Sequence, residues 1–207
     1  MKIQTASFFS LLAVLGAITI VSSCSKTDYV AGLWQGNPER IIDIRDASDA
    51  SSTMSIDFAP RSGKNGSGEV LLNTVVEVQQ AVTGMTDNAG VPYQANVTAT
   101  ASISGTYAPE DGDDDDYILS LDASTLKVNV DPDGVVFTDN LLTNMERPVL
   151  DSLTAATADQ WRVLITAAVR EQFYKYTRLD DVKVHNGDIM SAEVAHRDVT
   201  FRRVAQN

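Results

Sequence analysis

Asn96-Val97-Thr98-Ala99-Thr100-Ala101-Ser102-Ile103-Ser104 alternates strictly between apolar and polar side chains. A β-strand sends successive side chains to opposite faces, so Val97, Ala99, Ala101 and Ile103 line one face and Asn96, Thr98, Thr100, Ser102 and Ser104 the other. One dry face and one wet face mark an antiparallel sheet that is covered on a single side. The fold is therefore read outward from this strand as mainly β.

Upstream, Met54, Ile56 and Phe58 alternate with Thr53, Ser55 and Asp57, a second half-buried strand. Residues 70–78 are rich in β-branched side chains, with apolar residues on both faces near the centre, and read as a strand covered on both sides. Loops are expected at 60–68, which holds Gly63, Gly66 and Gly68, and at 83–92, broken by Gly84, Gly90 and Pro92. Ile41, Ile42 and Ile44 mark a strand over 39–44, and Gly32-Leu33-Trp34-Gln35-Gly36 opens the folded part.

Downstream, Gly105-Thr106-Tyr107 closes the central strand, the acidic run 110–116 forms a link, and Tyr117 begins the next strand. Leu126, Val128 and Val130 alternate with polar residues up to Asp131-Pro132-Asp133-Gly134, whose proline and glycine suit a turn, with Val135-Val136-Phe137 returning as a short strand. Pro148 discourages helix within 138–156. From Thr157 the period changes. Thr157 and Gln160 make a capping box, and Trp161, Leu164, Ile165, Ala168, Val169, Gln172 and Tyr176 share one side of a helix of about 20 residues. Strands resume at Val182-Lys183-Val184-His185, the dipeptide Asn186-Gly187 signals a hairpin, and Val199 and Phe201 face inward on the terminal strand. Eight or nine strands with short polar links and one amphipathic helix before the last hairpin fit an antiparallel barrel or sandwich. A barrel pairs the edges that an open meander leaves exposed.

The N-terminus carries a different message. Met1-Lys2-Ile3 precedes an apolar run from Phe8 to Val21, which polar residues end short of the roughly 20 that cross a bilayer. The run reads as a secretory signal over residues 1–23. Val21-Ser22-Ser23-Cys24 resembles the lipobox of bacterial lipoproteins, in a variant of the Bacteroidetes type. That resemblance implies cleavage before Cys24, acylation of its sulfur and amine with chains such as palmitate, a tether over residues 24–31, and an outer-membrane location. Periplasmic face and cell surface both stay open. Several acyl chains anchor durably where one does not. Cys24 is the only cysteine, so an intramolecular disulfide is excluded.

Removing residues 1–23 takes away Lys2 and no acid, moving the net charge from −12 to −13. Such acidity makes nucleic acid a poor partner. The remaining chain of about 180 residues suits one domain, over residues 32–207.

A second resemblance concerns that domain. Gly32-Leu33-Trp34 is similar to the Gly-x-Trp signature of the lipocalins, and Arg202 or Arg203 to the basic residue that packs over its tryptophan. Ser104-Gly105-Thr106-Tyr107 followed by an Asp-rich hairpin looks like lipocalin-like lipoproteins. The helix precedes the last hairpin, a departure from lipocalin order. The resemblance implies a binding module for a small apolar or amphipathic ligand, with Trp34, Arg202 and Arg203 structural. The alternative is a structural or interaction subunit of an envelope assembly, with a filled barrel.

Ala99 and Ala101 either leave room for a ligand or let the helix at Trp161 approach closely. Tyr93, Tyr107, Tyr117, Trp161 and Tyr174 are the aromatic candidates under the first reading. Asp111, Asp113, Asp114, Asp115 and Asp116 supply hard oxygen ligands suited to weak Ca²⁺ binding, without the spacing of an EF-hand loop; a solvated hairpin is the plainer reading. His185 and His196 lack zinc-site spacing, and no nucleophile elbow or phosphate loop is present, so the chain is not expected to be an enzyme.

Overall fold

The computed structural model describes residues 30–39, 44, 47, 49–61, 66–86, 92–111, 113–137 and 145–205. The elements are β1 (Gly32–Gly36), β2 (Asp49–Pro60), β3 (Gly68–Thr86), β4 (Pro92–Glu110), β5 (Asp113–Leu121), β6 (Lys127–Phe137), α1 (Arg147–Lys175), β7 (Arg178–His185), β8 (Ile189–Val194) and β9 (Arg197–Arg203). All pairings are antiparallel, in the order β3-β2-β1-β9-β8-β7-β5-β4-β6, and β3 also pairs with β4. That last pairing closes eight strands into a barrel and leaves β6 as an extra strand. Followed once around, the register is staggered by about 12 residues, so the strands tilt steeply against the barrel axis.

Strand β4 is the organising element. One edge pairs with β3 from Ala81↔Gln94 to Gly68↔Tyr107. Its other edge serves two strands, β6 along 95–102 and β5 along 105–110. The change of partner occurs beside Gly105, where a Cβ would stand 2.2 Å from the Ser120 carbonyl oxygen. Gly68, opposite Tyr107, is as crowded, at 2.1 Å from the Ala59 carbonyl oxygen. Only glycine lets the backbones approach so closely.

Val97, Ala99, Ala101 and Ile103 are buried and face the core, as the alternation requires. The covered-on-both-sides reading of β3 is corrected: Val70, Leu72, Val76 and Val78 are buried, but Leu71 is 39% and Val75 42% exposed. Its continuous apolar run reflects two outward aliphatic residues. Of the expected strand over 39–44, Glu39 makes an isolated bridge to Ser52 and Ile44 is buried, while Ile41 and Ile42 lie outside the described residues. The expected loop over 83–92 is shortened from both sides, since β3 runs to Thr86 and β4 starts at Pro92.

Two other expectations are corrected. Asp131-Pro132-Asp133-Gly134 does not reverse the chain; both halves of β6 pair with β4, Val130 opposite Ala99 and Val135 opposite Val97. The tetrapeptide is an excursion within one strand, held by the Asp133 N–H donating to Asp131 Oδ1 at 2.9 Å. The helix begins at Arg147, not Thr157, because Pro148 occupies the first turn, where its missing N–H is not required. Thr157 is therefore a buried mid-helix residue and no cap.

The direction of α1 follows from two contacts. Arg162 donates to the Val130 carbonyl on β6 at 3.4 Å, and Gln172 Nε2 donates to Ser52 Oγ on β2 at 2.7 Å. Val130, Ala99, Val76 and Ser52 form one row across β6, β4, β3 and β2. Ten helical residues rise about 15 Å and three strand spacings measure about 14 Å, so α1 runs across the strands over that row. Ala158, Trp161, Ile165, Val169, Gln172 and Phe173 form its buried stripe. The helix closes the end of the barrel away from Gly32.

Candidate functional site

The interior of the barrel, where a lipocalin-like module would hold a ligand, is occupied by the chain's own side chains. At the Gly32 end, Phe58 and Tyr107 meet edge to face with ring centres 5.0 Å apart, and Tyr107 lies 6.2 Å from Tyr117. Register brings them there: Phe58 opposes Val70, Gly68 opposes Tyr107, and Tyr107 opposes Leu119. Trp34 is fully buried, donates its indole N–H to the Val30 carbonyl at 2.7 Å, and is covered by Arg203 at 4.2 Å from the ring centre. Arg202 pairs in register with Gln35 and is exposed, so the covering cation is Arg203.

At the helix end, Trp161 is fully buried on the stripe that crosses the Ala99 row, and Tyr176 packs against Phe201 with ring centres 6.5 Å apart. Burial, then the charge of Glu39, raises the Tyr176 phenol pKa above the ordinary tyrosine range and keeps it neutral at physiological pH. A small recess of about 130 Å³ opens there, lined by Glu39, Lys175, Tyr176, Val194, Arg197 and Val199. Burial raises the pKa of Glu39, and the Arg197 charge partly offsets this.

The structure thus divides the sequence-derived candidates. Tyr107 and Tyr117 gather at one end of the barrel, while Ala99, Ala101 and Trp161 belong to the level that the helix crosses. Tyr93 lies in β4, its side chain outside the described residues. Tyr174 is 76% exposed on the outer side of α1 and lines no interior site, a correction that follows from its falling off the buried stripe. Cys24 lies outside the described residues.

The acidic hairpin resolves into roles too. Asp111 is exposed and the side chains of Asp113 and Asp114 lie outside the described set. Asp115 is half-buried, and Asp116 is engaged with Arg178 at 3.2 Å and with the Asp181 N–H at 2.9 Å. Arg178 also meets Glu110 at 2.8 Å and Asp180, forming a charged hub that the sequence did not reveal. Among the described residues no group of three or more His, Cys, Asp or Glu is arranged to hold a metal ion. His185 contacts Ser191 at 3.3 Å and His196 contacts Glu193 at 3.2 Å, both at the surface.

An outer groove of about 480 Å³ lies over β2 to β5 and is lined by residues including Asp57, Arg61, Glu69, Ser104 and Asp122. Outward positions of β2 and β4, such as Ser51, Thr53, Ser55, Thr98, Thr100 and Ser102, are polar; a barrel that spans a membrane turns an apolar band outward instead. No described helix is long and apolar enough to cross a membrane. No family model, curated protein or solved structure matches the chain.

Proposed function

We propose that the chain is a lipid-anchored envelope protein, tethered through Cys24 to the outer membrane, whose lipocalin-like barrel acts as a rigid interaction module. The observation that carries the barrel half of this reading is its filling: Phe58, Trp34, Tyr107, Tyr117, Trp161, Phe173, Tyr176 and Phe201 are all 2% exposed or less. Eight strands enclose a space that side chains can fill, and here aromatic residues and a helix occupy it. Partner recognition then falls to the outer surface. The anchor half rests on Val21-Ser22-Ser23-Cys24 after an apolar run.

A second reading, a holder of a small apolar or amphipathic molecule, is favoured by the recess at the end of α1. At about 130 Å³ it is well below the 300–1,000 Å³ typical of ligand sites, so a larger guest requires α1 to shift. Two measurements separate the possibilities. Cys24→Ser protein should move from the membrane to the soluble fraction, and retention in the membrane would remove the anchor. Native mass spectrometry of the released domain should show the bare mass; a stoichiometric adduct would transfer the proposal to the ligand-holding reading.

A further inference from the structure

Under α1, Thr74 Oγ1 on β3 and Gln172 Oε1 on the helix are buried without a hydrogen-bond partner among the described residues, as is the Trp161 indole N–H on the same helix face. Thr74 and Gln172 are each 1% exposed. Native interiors rarely leave such groups unanswered, and when they do an ordered water is a common reason.

Thr74 Oγ1 and Gln172 Oε1 belong to one neighbourhood. Gln172 Nε2 lies 2.7 Å from Ser52 Oγ, and Ser52 is itself 2% exposed. Ser52 opposes Val76, and Met54 opposes Thr74, so Thr74 is the diagonal inward neighbour of Ser52 across the β2–β3 pair. Diagonal neighbours stand roughly 7–8 Å apart, a separation at which one water can bridge short polar side chains. Turning the Gln172 amide over does not help. Its oxygen would then face Ser52 and its nitrogen would be the unanswered atom. The register partner of Thr74 on β4 is Ala101, whose short side chain leaves the space a longer residue would fill.

We propose that Ser52, Thr74 and Gln172 form an internal hydration site in which one water bridges the Gln172 amide to the Thr74 hydroxyl. The water donates to Gln172 Oε1 and exchanges a second hydrogen bond with Thr74 Oγ1, giving it the two or more polar partners a buried water needs. An apolar occupant would leave both groups unpaired, so the site takes water or a hydroxylic molecule of similar size. Its effect is to fasten α1 to β3 as well as to β2. This inference stands independently of the anchor and of the partner.

The test combines a crystal structure of the full chain with thermal unfolding of two variants. The wild type should show a solvent peak within about 3.2 Å of both Thr74 Oγ1 and Gln172 Oε1. Thr74→Val, which replaces the hydroxyl by a methyl of equal volume, should remove the peak and lower Tm by roughly 2–6 °C. Thr74→Ser should keep the peak, and that structure decides the matter if the valine variant fails to fold. A dry site, a direct Thr74–Gln172 bond, or a Thr74→Val protein with raised Tm would overturn the proposal, since removing an unanswered buried hydroxyl stabilises.

Discussion

Arg203 holds its guanidinium 4.2 Å from the centre of the Trp34 ring while its Nη1 donates to the Ala31 carbonyl at 2.5 Å and its Nε to the Gly187 carbonyl at 2.6 Å. One side chain thereby joins the entering chain, β1, β9 and the β7–β8 turn. Arg203→Ala should cost about 1–3 kcal/mol in urea unfolding, from the lost ring contact and two charge-assisted bonds. Arg203→Lys should recover under half of that, because an ammonium lacks the planar fork that reaches both carbonyls. A lysine variant as stable as wild type would show that charge alone suffices.

Gly105 and Gly187 make a controlled comparison. A Cβ at Gly105 meets the Ser120 carbonyl at 2.2 Å, whereas at Gly187 it meets nothing within 4 Å but the backbone sits at φ +81°. Gly187→Ala should cost about 1 kcal/mol, the conformational penalty alone. Gly105→Ala should cost more than about 4 kcal/mol or prevent folding, because backbone has to move. Equal midpoints for the two variants in chemical unfolding would contradict the crowding at the β4–β5 crossing.

β5 and β7 pair over a short described register. Their register consists of Tyr117↔Leu179 and Ile118↔Arg178, with one further backbone bond from the Leu119 N–H to the Thr177 carbonyl at 2.8 Å. Arg178 reinforces this joint through Asp180, Glu110 and Asp116, and its hydrogen bond to Asp180, chiefly, holds the guanidinium in its charged form. Arg178→Ala should speed amide exchange at Leu119 by roughly tenfold or more while β2–β3 amides stay slow, a local opening. Wild-type protein in 1 M salt should move partway toward the variant, since these charges are exposed enough to be screened.

Glu39 gives a pH dependence of unusual sign for a carboxylate. Burial raises its folded pKa above the ordinary 4.5, so the folded state holds the proton more tightly than the unfolded state just above that pH. Stability from this group therefore falls as pH rises through the window above 4.5 and is unaffected below it. Glu39→Gln should raise Tm at pH 7 relative to wild type, and the gap should close as pH falls below about 4.5. A gap that widens on acidification would reverse the sign.

Much of the barrel was legible because its strands alternate. Residues 96–104 and 53–58 each have one face that must be hidden, and Asn186-Gly187 marks a tight turn that the observed φ of +52° and +81° matches. The misreadings have local causes. Pro148 breaks a helix interior yet opens a helix, and only the position of the first turn tells which; Asp131-Pro132-Asp133-Gly134 has turn chemistry that a bulged strand also accepts. For the interior, the sequence left Ala99 and Ala101 undecided between cavity and contact, and the crossing of α1 answers through contacts between residues as remote as Ser52 and Gln172. Arg178 was invisible for the same reason, since Glu110, Asp116 and Asp180 reach it only after the barrel closes.

Val30, the first of the described residues, is fully buried and accepts the Trp34 indole N–H at its carbonyl. Six peptide units from Cys24 to Val30 span at most about 20 Å. If Cys24 carries lipid, that reach keeps the Val30 end of the barrel close to the bilayer whatever partner arrives. The Asn186-Gly187 turn, held by Arg203 beside that entry point, becomes the proximal pole, and the far ends of β3 and β4 become the distal one. A spin or fluorescent label at Asn186 should therefore be quenched by headgroup-borne quenchers in reconstituted vesicles, and one at His196, at the opposite end of β8, much less.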